Sequence, residues 1–385
     1  MPRKKIIYVI ATFGHGQGGH FRDLREISAD QSRSADCLIV NIGPKRSSVL
    51  EEGPVRVENI DTAAHSFFRV IQKLREIAAV ERPDIVNVYD MRVYVFARIL
   101  KGRTPVPLVI TKCGGANPRR FYPASDALVV FSRENQTFFS ERRRQTNGPI
   151  FFCPNRVKAP IQDKDLIAEV ASSVGTKAVC VILIGRLTEA YQATMLTAID
   201  LNKRLNADGN ACHLFIVGVP EAEDVVAQIK GRADEHVTLL TDARYTKNAA
   251  KLLDLAEISI SAGRGLMEAA ALGKVLITTI SKDSMPSLVS ETTFEELFRT
   301  NFSPRNALAD SDEDERYDLI ATAVKSSSAR AAYSDQSQAF FKEYFDVNGV
   351  AEQYDRFYAT VPQRRSMSIM SLLWGAYVYY RSCRD

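Results

Sequence analysis

A glycine-rich turn and two arginines that each follow a glycine are the residues of this chain best suited to hold an anion. The turn, Gly14-His15-Gly16-Gln17-Gly18-Gly19-His20, follows an apolar run and precedes Phe21-Arg22-Asp23-Leu24-Arg25, which can open a helix. Glycines there let backbone N–H groups approach a phosphate at the helix N-terminus, where the dipole favours negative charge. In the second half, Gly185-Arg186-Leu187 ends one apolar run and Gly263-Arg264-Gly265-Leu266-Met267-Glu268 follows another. Backbone amides, dipole and guanidinium can converge there on a diphosphate. Glu268, about one helical turn in, can accept from ribose hydroxyls. His20, Asp90 and Lys112 stand at the ends of first-half runs and are the candidates for handling a second substrate. Each has a plainer counterpart: an Arg–carboxylate pair, a ligand-free turn, a local cap.

The elements that position these residues read as short apolar, β-rich runs at 6–11, 37–42, 85–89, 108–112, 127–131 and 150–153. Five more follow at 178–184, 213–217, 237–240, 258–262 and 275–279. Runs of this length without strict alternation suit strands buried on both faces, and the amphipathic stretches between them make the strands parallel. The expected class is α/β, with two doubly wound Rossmann-like domains. Ligands of such sheets bind beyond the carboxyl ends of the strands, so two domains facing across a cleft would share a site there. The boundaries read as a first domain over 1–157, a linker over 158–176, a second domain over 177–345, a C-terminal helix over 346–362 and a tail over 363–385. Residues 336–361 read as one or two helices, and the acidic stretch 309–316, with Asp312-Glu313-Asp314, as a solvated loop or helix start.

Of 385 residues, 45% are hydrophobic and 25% charged, which excludes disordered, collagen-like and coiled-coil classes. The net charge of +4 hides an asymmetry: residues 1–160 carry 26 Lys+Arg against 15 Asp+Glu, or +11, and the rest 24 against 31, or −7. A basic half implies an anionic partner, either a membrane surface, a phosphate-bearing substrate or nucleic acid. Nucleic acid ranks lowest, because the cations are scattered and no RNP-like, helix-turn-helix or finger pattern accompanies them. Cys37, Cys113, Cys153, Cys180, Cys212 and Cys383 form no CxxC pair, which suits a reduced, cytosolic chain. Cys113, beside Lys112 and Gly114-Gly115, has surroundings that can favour thiolate, without a visible His partner. His65, His213 and His236 read as structural.

The first apolar run passes straight into its turn and reads as a strand, not a signal peptide. No stretch approaches the ~20 apolar residues needed to span a bilayer. Basic residues beside aromatics nevertheless recur at Phe67-Phe68-Arg69 with Lys73 and Arg75, at Arg119-Arg120-Phe121-Tyr122, and at Phe138-Phe139 with Arg142-Arg143-Arg144. The apolar and aromatic tail over 366–380 lies between Arg364-Arg365 and Arg381. These patterns favour an anionic interface. As a helix the tail would span about 22 Å at ~1.5 Å per residue, short of the ~30 Å hydrocarbon core, so it would lie on a membrane or pack back on the first domain.

In order and spacing, Gly18-Gly19, Pro154-Asn155-Arg156-Val157 at the crossover, Gly185-Arg186-Leu187, and Glu268-Ala269 followed by Gly273-Lys274 resemble the GT-B glycosyltransferases. The nearest group is family four, retaining enzymes of bacterial surface polysaccharide and glycolipid assembly. The resemblance covers roughly residues 5–360. It implies that Gly18 and Gly19 face acceptor and donor phosphate, that Arg186 binds the donor diphosphate, and that Glu268 binds ribose. It further implies a metal-independent reaction without a cofactor, the nucleotide sugar being substrate and its phosphate helping to deprotonate the acceptor. Two positions depart from the pattern. The family's Lys five residues after the Arg is Tyr191 here, and the first Glu of its Glu pair falls at Ile260; Arg264 would supply the missing cation.

The expectation is a peripheral enzyme on the cytoplasmic face of the cell membrane, moving a sugar from a nucleotide donor to a lipid-linked or glycan acceptor. Arg186, Arg264 and His20 would serve catalysis; Gly18, Gly19, Gly185, Gly263, Gly265 and Glu268 the donor; Asp90 and Lys112 the acceptor. One rival is a catalytically silent scaffold of the same fold, supported by Tyr191 and Ile260. Another is an NADP-dependent oxidoreductase, from the GxGxxG of Gly14, Gly16 and Gly19 with Lys45-Arg46 where a dinucleotide site normally carries an acid. That rival leaves Arg186 and residues 263–268 without a role.

Overall fold

The computed structural model describes residues 3–102, 104–118, 121–142, 148–174, 178–281, 285–309, 312–363 and 369–382. Arg119, Arg120, Arg143, Arg144, Arg364, Arg365 and Cys383 lie outside the described residues. The chain forms two units: Met1–Arg156 with Val347–Asp385, and Val157–Asp346.

The first unit holds β1 (Lys4–Ala11), β2 (Ala35–Gly43), β3 (Arg56–Asp61), β4 (Ile85–Val88), β5 (Leu108–Lys112), β6 (Ala127–Val130) and β7 (Ile150–Phe152). Between them run α1 (Gly19–Gln31), α2 (Ser48–Glu51), α3 (Phe67–Glu81), α4 (Tyr94–Lys101) and α5 (Arg133–Glu141). The strands form one parallel sheet in the order β3-β2-β1-β4-β5-β6-β7. Alternation along β1 sends Tyr8 and Ile10 into one core with Leu24 and Ile27 of α1, and Ile7 and Val9 into the other with Val70, Leu74 and Phe96. A strand covered on both faces must be apolar throughout, which is why β1 reads as an unbroken run. Sequence reading passes over β3 because it lies at the sheet edge, where Arg56, Glu58 and Asp61 are exposed.

The second unit holds β8 (Val179–Ile184), β9 (Cys212–Val217), β10 (Val237–Leu240), β11 (Ile258–Ile260), β12 (Val275–Thr278) and β13 (Ser287–Leu288). Its helices are α6 (Lys164–Ala171), α7 (Glu189–Ala207), α8 (Glu223–Arg232), α9 (Ala243–Thr246), α10 (Arg264–Ala271), α11 (Phe294–Phe298), α12 (Glu313–Lys325) and α13 (Ser327–Phe340). The sheet order is β10-β9-β8-β11-β12-β13, parallel except for the two-residue edge strand β13. The stretch expected as a linker carries α6 instead. Asp163 caps it, accepting from Leu166 N at 3.2 Å, and pairs with Lys251 at 3.2 Å, so the segment is bound into this unit. Asp312 caps α12, accepting from Asp314 N at 2.8 Å, so the acidic stretch is a helix start.

The helical stretch 336–361 divides between the units. It holds the end of α13, a π-helical turn over Phe341–Phe345, and α14 (Val350–Thr360), which returns to the first unit and puts Tyr354, Phe357 and Tyr358 against the α1 side of its sheet. The final helix, α15 (Ile369–Ser382), packs on α4. Gly375 makes that approach possible, since a Cβ there would lie 2.9 Å from Tyr94 Cδ1. Among the described residues no helix is long and apolar enough to cross a membrane.

Candidate functional site

In each sheet the strand order reverses once, between β1 and β4 and between β8 and β11. The carboxyl ends at such switch points are where doubly wound sheets bind ligands.

In the first unit the turn after β1 is shaped by Gly16. Its φ of +65° and its contact with Ser47, whose hydroxyl donates to Gly16 O, leave no room for a side chain. Gly14, Gly18 and Gly19 are exposed, and Gly18 precedes α1 with no side-chain cap on its first turn. The crossover residues fix this helix from below. Asn155 Nδ2 and the Arg156 backbone N–H donate to the buried Asp23 at 3.4 and 3.1 Å, and Tyr89 Oη donates to its other oxygen at 3.4 Å.

His20, half-buried on the first turn of α1, has its imidazole held below the ordinary 6.5 by burial, with Asp90 pulling upward and Arg92 adding to the lowering. Asp90 caps the turn after β4, accepting from the Arg92 N–H at 2.9 Å, and grips the Arg92 guanidinium through both oxygens. Arg92 in turn lies 5.2 Å over the Phe13 ring. Lys112 folds back to donate to Gly114 O at 2.6 Å, across a loop whose Gly114 and Gly115 have φ of +79° and +77°. Buried Asn135 donates to Gly115 O and to Asn117 Oδ1, at 3.3 and 2.8 Å. Cys113 corrects an expectation. Burial, then Asp23 and Asp90, push its thiol well up, and it donates to Tyr89 O at 3.6 Å, which removes the thiolate reading.

In the second unit Gly218 lets β9 close against the turn after β8, since a Cβ there would lie 1.9 Å from Gly185 O and 2.4 Å from Leu187. The turn presents Arg186, whose side chain is 61% exposed and 3.7 Å from Glu221. Tyr191 packs on the core and lies 5.9 Å beneath the Arg186 guanidinium. Gly263, with φ +53° and ψ −127°, starts α10 without a side-chain cap and donates its N–H to Phe302 O at 2.7 Å. Phe302 belongs to an aromatic cluster with Phe294, Phe298 and Phe345 that fixes this turn. Arg264 Nε donates to Glu268 Oε1 at 2.8 Å, with side chains only 9% and 16% exposed, so the residues read as separate ligands pair with each other. Gly265 lies in the same first turn, and Ile260 is buried core in β11.

Neither Arg92, Asn135, Asp23 nor Glu221 stands out in the sequence. Arg92 and Glu221 follow the ends of β4 and β9 closely enough to have been found from strand positions; Asn135 and Asp23 carry no such signal. Among the expected structural histidines, His213 is bonded to Thr238 Oγ1 at 2.8 Å in the sheet, whereas His65 lies outside it against Lys73 Nζ, also at 2.8 Å. His236 is 44% exposed beside Glu235. Among the described residues no group of three or more His, Cys, Asp or Glu is placed to hold a metal ion.

No protein-family model and no curated protein matches the sequence. Solved structures do match. A glycosyltransferase from Rickettsia africae ESF-5 superposes with a TM-score of 0.67 at 12% identity, over 94% of this chain and 99% of that one. Anabaena HepE in complex with UDP and glucose gives 0.65 at 14% identity, over 93% and 100%. A TarM variant from S. aureus, in complex with UDP among other ligands, gives 0.61 at 10% identity, over 92% and 99%. The fold of this chain, two Rossmann-like units on parallel sheets, is that of the GT-B glycosyltransferases.

Proposed function

We propose that the protein transfers a sugar from a nucleoside diphosphate donor to a hydroxyl of a lipid-linked or glycan acceptor in surface polysaccharide or glycolipid synthesis. The observation that carries this reading is the exposed Arg186 at the switch point of the second unit, beside two helix starts, α7 and α10, that lack side-chain caps. A cation beside helix starts whose dipoles favour negative charge suits a leaving diphosphate. UDP is the first candidate, because structural neighbours such as HepE carry it.

The second unit takes the donor, through Arg186, the Gly185 and Gly263 turns, Gly265, and the Arg264–Glu268 pair, whose carboxylate can turn to ribose as the guanidinium turns to phosphate. The first unit takes the acceptor, through His20, Asp90 and Lys112, with Gly18 and Gly19 at the start of α1. In the transfer the bond from the anomeric carbon to the diphosphate oxygen breaks and a bond to the acceptor oxygen forms. The diphosphate leaves with the electron pair and takes the acceptor proton. We place the reaction at the cytoplasmic membrane surface, with retained anomeric configuration and without a metal, as the family resemblance implies.

Thermal-shift titration with UDP, GDP, CDP and ADP and their sugar conjugates tests this. One nucleotide is expected to stabilise the wild type, and Arg186→Ala to weaken it by about ten- to a hundredfold, the worth of a charge-assisted contact. Equal affinity in the variant would refute the assignment. A second reading, nucleotide-sugar binding without turnover, rests on Tyr191 and the mutual Arg264–Glu268 pair; release of free nucleotide only in the presence of acceptor excludes it.

A further inference from the structure

Helix α15 is fixed by one face and offers the other. On the inner face the Ser371 hydroxyl accepts from Ala124 N at 2.9 Å, Gly375 lies against Tyr94, and Tyr379 meets the Phe96 ring edge-on at 4.7 Å. On the outer face Ile369, Met370, Leu373, Tyr377 and Tyr380 are 72%, 65%, 62%, 58% and 53% exposed. Their spacing places 369, 373, 377 and 380 on one stripe. The stripe continues onto α3. Phe67 lies 5.7 Å from the same Phe96 ring, and Phe68 beside it is 81% exposed.

The sequence around this patch is rich in cations. Residues 361–384 contain four arginines and no acid, and the start of α3 adds Arg69, Lys73 and Arg75. Summed over sequence, the first unit carries 30 Lys+Arg against 18 Asp+Glu, or +12, and the second 20 against 28, or −8. Two copies meeting through this face would set like charges together, whereas an anionic lipid surface is complementary. Apolar and tyrosine side chains on a cation-rich unit suit the headgroup boundary, and a 14-residue helix lies in that plane.

We propose that the outer face of α15, with Phe67 and Phe68 of α3, docks the first unit on an anionic membrane and brings membrane-held acceptor to its acceptor side. The docking stands on this face alone; the delivery of acceptor rests on the transferase reading. The two are joined through Tyr379, which also lies 6.1 Å from Phe13, the residue beneath Arg92 and its partner Asp90.

Co-sedimentation of the full-length protein with vesicles of phosphatidylglycerol and phosphatidylcholine, against phosphatidylcholine alone, tests the docking. Binding is expected only with the anionic lipid, weakening with salt. Leu373→Glu with Tyr377→Glu, and separately Phe68→Glu, are expected to weaken partitioning by about tenfold or more, since each removes apolar contact and adds repulsion. These side chains are exposed, so melting temperature and nucleotide binding are expected to stay at wild-type values. Wild type left in the supernatant at low salt would overturn the proposal, as would a double variant that sediments like wild type. A dimer by light scattering that the double variant dissolves, without vesicle binding, would assign the face to a second copy. Vesicle binding without any nucleotide response would sink the transferase reading and leave the docking intact.

Discussion

At the scale of single residues, the positions of the candidate groups at strand ends and helix starts were legible in the sequence, but most of their partners were not. Arg186, Gly263, Arg264 and Glu268 could be named because each follows an apolar run closely. That Arg264 and Glu268 hold each other follows from i,i+4 spacing on a helix that starts at Arg264 itself. If this Arg serves a diphosphate, the anion competes with Glu268 for it. Glu268→Gln is then expected to bind inorganic pyrophosphate several-fold more tightly than wild type by calorimetry, and unchanged affinity would place Arg264 outside the anion site. His20 yields a pH prediction. Its folded pKa lies below the ordinary 6.5 because burial disfavours the charged ring, so the unfolded chain binds more protons in that window. Stability is therefore expected to fall as pH drops from about 7 toward 5, through 6.5, and His20→Gln to show a smaller fall in Tm over that range. His213 is lowered by burial as well and keeps part of the slope in the variant.

At the scale of elements, the buried parallel strands were readable because a strand covered on both faces has no solvent-facing positions. Where that condition fails, so did the reading. β3 alternates with charge at an edge, and β13 is two residues long and defined only by its antiparallel partner. Turns carry a sharper test. Gly218→Ala places a Cβ 1.9 Å from Gly185 O, so the turn bearing Arg186 must shift. A loss of about 2–4 kcal/mol and weakened nucleotide binding are expected, read by urea melts and titration. Gly231 is the converse. It lies in α8 with nothing within 4 Å of an added Cβ, so Gly231→Ala is expected to stabilise by about 0.5–1 kcal/mol. A Tm that falls instead would mean that α8 is not helical there.

At the scale of the whole molecule, the two-domain reading held because the apolar runs cluster in two sets. That the chain passes between units twice, after Arg156 and after Asp346, left no mark in composition. One unit is thus a continuous segment and the other is not. A fragment of residues 157–346 is expected to melt cooperatively on its own by circular dichroism. A fragment of 1–156 lacks Tyr354, Phe357 and Tyr358 from one of its two cores and is expected not to. A cooperative melt of the latter would show that α14 is dispensable. The same return of the chain sets an order of events during synthesis. All seven strands of the first sheet leave the ribosome before the second unit, and the covering helix α14 emerges only after it, so the second unit is free to finish folding before the first can close. Until then the side of the first sheet that α14 will cover, with Tyr8 and Tyr89, stays open, and chaperones that hold apolar surface have a longer opportunity on this unit than on the one synthesised after it.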